Sequence, residues 1–207
     1  MKLPKGWKIA EFGELLITKP DYGANASAIP FHEGKTLRFL RITDIDDSGR
    51  LLSDPKVGIA PVHAKGSEVD EGDLLIARTG ATVGKSYLVE TLPYRSAFAG
   101  YLIRFRIDYR LSFKGYIRQF LRSPRYWKWV GTTIRAGAQP NINSQEFSSL
   151  PIPIPPLPEQ RKIADILSTW DEALEKLDAL IAAKDRRKQA LMQQLLTGKK
   201  RVKGAIG

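Results

Sequence analysis

Leu150-Pro151-Ile152-Pro153-Ile154-Pro155-Pro156-Leu157-Pro158-Glu159-Gln160-Arg161-Lys162-Ile163 divides this chain of 207 residues into two regimes. Five prolines between 151 and 158 exclude a helix or a central strand. The stretch reads as extended and stiff, a spacer. Pro158 suits the first turn of a helix, and Glu159 puts a negative charge where the helix dipole favours it. Beyond it Ile163, Leu167, Trp170, Leu174, Leu177 and Ile181 recur at steps of 4, 3, 4, 3 and 4. That is a heptad seam, and its register continues through Lys184, Lys188, Leu191 and Leu195. Neither proline nor glycine interrupts it before Gly198, so one helix of about 40 residues and roughly 60 Å is expected over 159–198.

A single helix cannot bury such a seam by itself. Residues 159–178 carry six acids and three bases, residues 179–198 four bases and one acid, giving halves of −3 and +3. Two parallel copies would stack like charge on like; two antiparallel copies set acid against base. The sequence therefore predicts an antiparallel coiled coil with a second copy, a homodimer. With the crossing point near Asp178, Lys184 and Lys188 fall near Glu172 and Ser168 of the other copy and fix the register at some cost in stability.

Working back from the prolines, residues 1–150 read as one mixed α/β domain of α+β character. Tyr101, Ile103, Phe105 and Ile107 alternate with Leu102, Arg104 and Arg106, a strand with one apolar face and one face carrying two arginines. Leu37 to Ile45 is a second strand. Asp73-Leu74-Leu75-Ile76-Ala77 is a third, short and buried, and Val83 to Val89 pairs with it across the Thr79-Gly80-Ala81 turn. Tyr116 to Leu121 reads as a helix ended by Ser123-Pro124, with another short helix around Tyr126 to Val130. Asn143, with Glu146 three residues on, is expected to cap one more.

The formal net charge is +11, which suggests a polyanionic partner. There are no cysteines, so disulfides, Cys-ligated zinc and thiol catalysis are excluded. The amino terminus lacks the apolar run of a secretory signal, and no stretch approaches the roughly 20 apolar residues of a membrane span. A cytoplasmic protein is the simplest reading.

The proline-helix junction quoted above closely resembles the start of the conserved helix in type I restriction–modification specificity subunits. Further stretches match that family in order: Gly6-Trp7; Gly72-Asp73-Leu74-Leu75-Ile76-Ala77-Arg78-Thr79-Gly80-Ala81-Thr82-Val83-Gly84-Lys85; Gln139-Pro140-Asn141-Ile142-Asn143; and Gln193-Gln194-Leu195-Leu196-Thr197-Gly198-Lys199. The resemblance implies a target recognition domain followed by one long conserved helix, a half-length form of a subunit that carries two such units. It implies double-stranded DNA, DNA methyltransferase subunits and a restriction subunit as partners. S-adenosylmethionine is then expected in the partner methyltransferase, with no cofactor in this chain.

Motifs suggestive of chemistry read otherwise. Gly80 to Ser86 resembles a phosphate loop, but three residues separate its glycines where four are needed, and it leads into a strand. His32 and His63 lack metal-ligand spacing and read as loop residues. Asp44, Asp46 and Asp47 sit in an Asp-Ser-Gly turn. The aromatics among Tyr116, Arg118, Phe120, Arg122, Arg125, Tyr126, Trp127, Lys128 and Trp129 read as core, with the bases on the solvated side.

The expected function is sequence-specific DNA recognition without catalysis. A dimer reads an inverted-repeat, bipartite target and positions the methyltransferase. Arg41, Arg78, Thr79, Lys85, Arg104 and Arg106 are the candidates for DNA contact. Ile163 through Leu195 in the seam form the helix interface, and 199–207 is a basic tail. Two alternatives stand beside it: a specificity subunit of a type IIB-like system, and a basic coiled-coil scaffold without specific DNA binding.

Overall fold

The computed structural model describes residues 3–134 and 139–201. The chain falls into two units, Met1–Ala164 and Asp165–Gly207. The basic tail expected over 199–207 lies outside the described residues from 202 onward.

In chain order the elements are β1 (Lys8–Glu11), β2 (Asp21–Tyr22), β3 (Ile29–Pro30), β4 (Leu37–Leu40), β5 (Val57–Ile59), α1 (Pro61–Ala64), β6 (Asp73–Ala77), β7 (Ser86–Leu88), β8 (Ser96–Phe98), β9 (Leu102–Arg106), α2 (Lys114–Phe120), α3 (Pro124–Thr133), α4 (Ser144–Ser148), β10 (Pro151–Ile154) and α5 (Leu157–Leu196). One four-stranded sheet runs β2-β9-β6-β7 and is antiparallel throughout. A second runs β3-β5-β4-β8 and closes with the parallel β4–β8 pair. β1 and β10 form a two-stranded ribbon.

β6 shows why a continuous apolar run becomes a strand here. Leu74 and Ile76 point into a core shared with Ile103 and Phe105, while Leu75 and Ala77 point into another with Leu40, Phe98 and Leu102. Both faces are buried, so no polar alternation is needed. The helices obey local signals. Ser123 Oγ accepts the Tyr126 amide at 3.3 Å, and Pro124 opens α3. Asn143 Oδ1 accepts from the Gln145 and Glu146 amides, and Glu146 Oε2 accepts the Asn143 amide at 2.8 Å. Tyr116, Phe120 and Tyr126 are buried, as expected of core aromatics, but Trp127, expected with them, is 41% exposed, and Trp129 is half-buried against the core.

The proline segment is extended, but it is not a spacer. It is β10, paired with β1 in the register Ala10↔Ile152 and Lys8↔Ile154. Ile152 and Ile154 are buried in the main core. Pro151 and Pro153 lack N–H groups on one side of the strand only, so an edge strand with a single neighbour tolerates them. The globular unit also takes in the start of α5. Buried Gln160 accepts from Ser112 Oγ at 3.0 Å and from the Phe113 amide at 2.8 Å, and it donates to the Pro155 carbonyl at 2.9 Å. Ile163, expected in the intermolecular seam, packs instead against the core of its own globular unit. From Asp165 onward the helix is a unit of its own. Leu167, Trp170, Leu174, Leu177, Ile181 and Leu195 are exposed along it, and so are Ile166 and Leu180. No helix among the described residues is long and apolar enough to cross a membrane.

Candidate nucleic-acid interface

Sheet register gathers three loops at one end of the β2-β9-β6-β7 sheet. Ala77 at the end of β6 faces Leu102 at the start of β9, and Tyr22 at the end of β2 faces Ile103. The chain therefore leaves β6 at Arg78, enters β9 from Gly100-Tyr101, and leaves β2 at Gly23 beside one another. A fourth segment joins them through the Thr79↔Asn141 bridge. Gly80 N donates to the Pro140 carbonyl at 3.0 Å, and Thr79 Oγ1 donates to the same oxygen at 3.3 Å.

Arg78 is held from several sides. Its amide donates to the Tyr101 carbonyl at 3.0 Å, and its carbonyl accepts from Ile142 N at 2.9 Å. Its Nε donates to Asn141 Oδ1 at 3.3 Å, and its guanidinium lies 4.9 Å from the centre of the Tyr22 ring. The Tyr22 hydroxyl in turn donates to Ser144 Oγ and accepts the Ser144 amide, each at 3.1 Å, at the capped start of α4. A groove opens at Arg78, lined also by Tyr22, Gly23, Ala24, Asn25, Gly100 and Tyr101. Gly23 is required by close approach, since a Cβ there would lie 2.2 Å from the Phe98 carbonyl oxygen.

The other expected DNA contacts carry ion pairs within the chain. Arg104 is buried and spoken for: it pairs with Asp21 and Asp73 and donates to the Gly66 and Glu68 carbonyls. Arg106 pairs with Asp73 at 2.9 Å and Asp70 at 3.2 Å. The β9 face carrying two arginines is thus an ionic ladder that ties β2, β6 and β9 to the 66–70 segment. Alternation reveals such a second face without showing what covers it. Arg41 chelates Asp44, at 2.8 and 3.2 Å; the hydrogen bond to that carboxylate raises its pKa above the ordinary arginine value. Lys85 Nζ lies 2.6 Å from Asp47. Of the six candidates, Arg78 and Thr79 are brought together with Asn141, while Arg41, Lys85, Arg104 and Arg106 hold carboxylates.

Two aromatic residues of the groove were not legible. Tyr22 ends a strand of two residues, too short for any period to show. Tyr101, placed by alternation on an apolar strand face, precedes β9 and is 63% exposed. The motifs read as non-catalytic follow local geometry. Gly80–Thr82 is a turn of 3-10 helix leading to β7. Asp46 Oδ1 accepts the Ser48 and Arg50 amides of its turn. His32 lies in a loop, but exposed His63 sits in α1 rather than in a loop, where Pro61 starts the helix. Residues 1–164 carry 24 Lys and Arg against 16 Asp and Glu, an excess that favours a polyanion.

Residues 4–183 match the family described as the type I restriction modification DNA specificity domain. The chain is 31% identical to the type I restriction enzyme EcoKI specificity subunit of Escherichia coli K12, over 99% of this chain and 42% of that protein. It is 30% identical to the StySPI specificity subunit of Salmonella potsdam, over 93% of this chain and 40% of that protein. It therefore spans less than half the length of these relatives. Among solved structures, a chain from work on assembly and conformational transition of the type I R-M system superimposes with a TM-score of 0.70, and the HsdS subunit from Thermoanaerobacter tengcongensis with 0.66. Each is 20% identical, and each alignment covers 99% of this chain and 52% of the other.

Proposed function

Since this chain belongs to the type I restriction–modification DNA specificity family, we propose that it reads DNA sequence for a methyltransferase and itself performs no chemistry on the DNA. The observation that carries the reading is the loop cluster around Arg78: a braced guanidinium, exposed tyrosine and amide groups, and a groove lined in part by small residues, on a basic unit. Such a surface supplies hydrogen-bond donors and stacking faces to base edges, while lysines and arginines around it hold phosphates.

The exposed face of α5 supports the rest of the proposal. Two copies pair their helices antiparallel, and the −3 and +3 halves set the direction. Two-fold symmetry then makes the target an inverted repeat around an unread spacer. S-adenosylmethionine and the flipped base belong to the partner methyltransferase, in the cytoplasm, with a restriction subunit completing the assembly.

Co-purification with the cognate methyltransferase, followed by sequencing of methylated sites, tests this. The expected result is one bipartite, palindromic motif, bound with an affinity that falls as salt rises. Neither methylation nor salt-dependent binding would leave only a coiled-coil scaffold. A heptad inserted between Leu177 and Ile181 lengthens each helix by about 10 Å. It should add about three base pairs to the spacer and leave the half-sites unchanged.

A further inference from the structure

We infer that Arg78 reads a guanine in the half-site, and that Tyr22 and Asn141 are positioning residues that fix the plane of its guanidinium. The inference rests on the DNA-reading function proposed above and assigns one contact within it.

Three observations combine. First, the Arg78 backbone is pinned on both sides, by Tyr101 and Ile142. Second, its guanidinium carbon lies over the Tyr22 ring, 4.9 Å from the centroid, and Asn141 Oδ1 accepts from its Nε at 3.3 Å. Third, among the described residues the two terminal nitrogens make no hydrogen bond, and Arg78 lines a groove together with Gly23, Ala24 and Gly100. The bases on the β9 ladder differ in kind, because carboxylates already occupy their nitrogens.

A phosphate presents acceptor oxygens in many directions, so a flexible lysine or arginine satisfies it. Fixing the plane of a guanidinium confers advantage only if the acceptor is also planar and oriented. Two terminal N–H donors side by side match the adjacent N7 and O6 acceptors on the major-groove edge of guanine, and no other base offers that pair of acceptors. The Tyr22 ring beneath the guanidinium and the Asn141 bond would hold that fork in the plane of the incoming base, leaving less rotamer freedom to lose on binding.

The test selects from a randomised double-stranded DNA library with the chain bound to its cognate methyltransferase, comparing wild type, Arg78→Ala, Arg78→Lys, Tyr22→Phe and Tyr22→Ala. Wild type should require a G·C pair at one position of each half-site. Arg78→Ala should lose the preference at that position alone, a drop of roughly 5- to 150-fold in discrimination, with the other positions intact. Arg78→Lys keeps the charge but not the planar fork. It should relax the same position while the slope of log affinity against log salt stays unchanged. Tyr22→Ala should relax that position less strongly, and Tyr22→Phe, which keeps the ring, should retain it. Uniform weakening across all sequences in Arg78→Ala, with a salt slope lower by about 0.9 and full rescue by lysine, would make Arg78 a phosphate contact and overturn the inference. Intact specificity in Arg78→Ala would overturn it as well. A wild-type complex that selects no sequence would refute the DNA-reading function itself, a result distinct from either.

Discussion

Leu74, Ile103 and Phe105 in the globular unit are at most 1% exposed, whereas Trp170, Leu174 and Leu177 on the helix beyond it are 67%, 58% and 54% exposed. The same kinds of side chain thus meet opposite fates in one chain. In the globular unit, apolar faces close on one another and buried arginines meet buried carboxylates. In the helix from Asp165 onward, a stripe of large apolar side chains repeats for turn after turn with nothing over it. Exposed apolar stripes of that length mark an interface. The globular unit covers its own apolar faces, while the helix leaves its apolar stripe exposed, the face that the proposed pairing with a second copy would cover.

The strongest way to break this contrast is to put charge in the stripe. Leu174→Asp together with Leu177→Asp should convert the assembled protein to monomers by sedimentation, because pairing would then bury carboxylates without partners. The urea midpoint of the globular unit should not move. If the double variant stays assembled, the stripe is not the interface.

The opposite variant attacks the closed unit and spares the helix. Arg104→Ala leaves Asp73, 3% exposed, with a weakened set of partners and strands Asp21 beside it. A loss of about 3–5 kcal/mol is expected in urea unfolding followed by tryptophan fluorescence. Arg104 would instead be an open, DNA-facing residue if the variant kept its stability and lost only DNA affinity.

The contrast is sharpest where the two units meet in the sequence. Gln160 belongs to the long helix by periodicity, yet its amide serves the globular unit through Ser112, Phe113 and Pro155. Gln160→Ala should cost about 2–3 kcal/mol of globular stability by orphaning those groups. Pairing of the helices should be unaffected, as sedimentation of the variant would reveal. The smallest effect concerns a local signal: Asn143→Ala removes the cap of α4, for about 1 kcal/mol by the same unfolding measurement.

Much of the architecture was legible because the signal is local. The seam of α5 is a repeat of 3 and 4 residues, β6 is a bounded apolar run, and the caps at Ser123 and Asn143 lie within three residues of the amides they serve. A helix needs only its own neighbours to satisfy its backbone, so its presence and its apolar face can be read from consecutive residues. What covers a face cannot be read so. Arg104 and Arg78 look alike in the sequence, each next to a hydrophobic run. The first is enclosed by Asp21 and Asp73, 83 and 31 residues away, and the second is braced by Asn141, 63 residues away, with no hydrogen bond on its terminal nitrogens among the described residues. The proline run likewise became a strand only because β1, more than 140 residues earlier, lies alongside it. The sequence alone determined which stretches fold and where apolar faces lie, since both follow from backbone and side-chain periods over a few residues. Only the tertiary structure decided which charges are neutralised and which remain to meet a ligand, because Coulomb partners and buried hydrogen bonds depend on distance in space rather than separation along the chain.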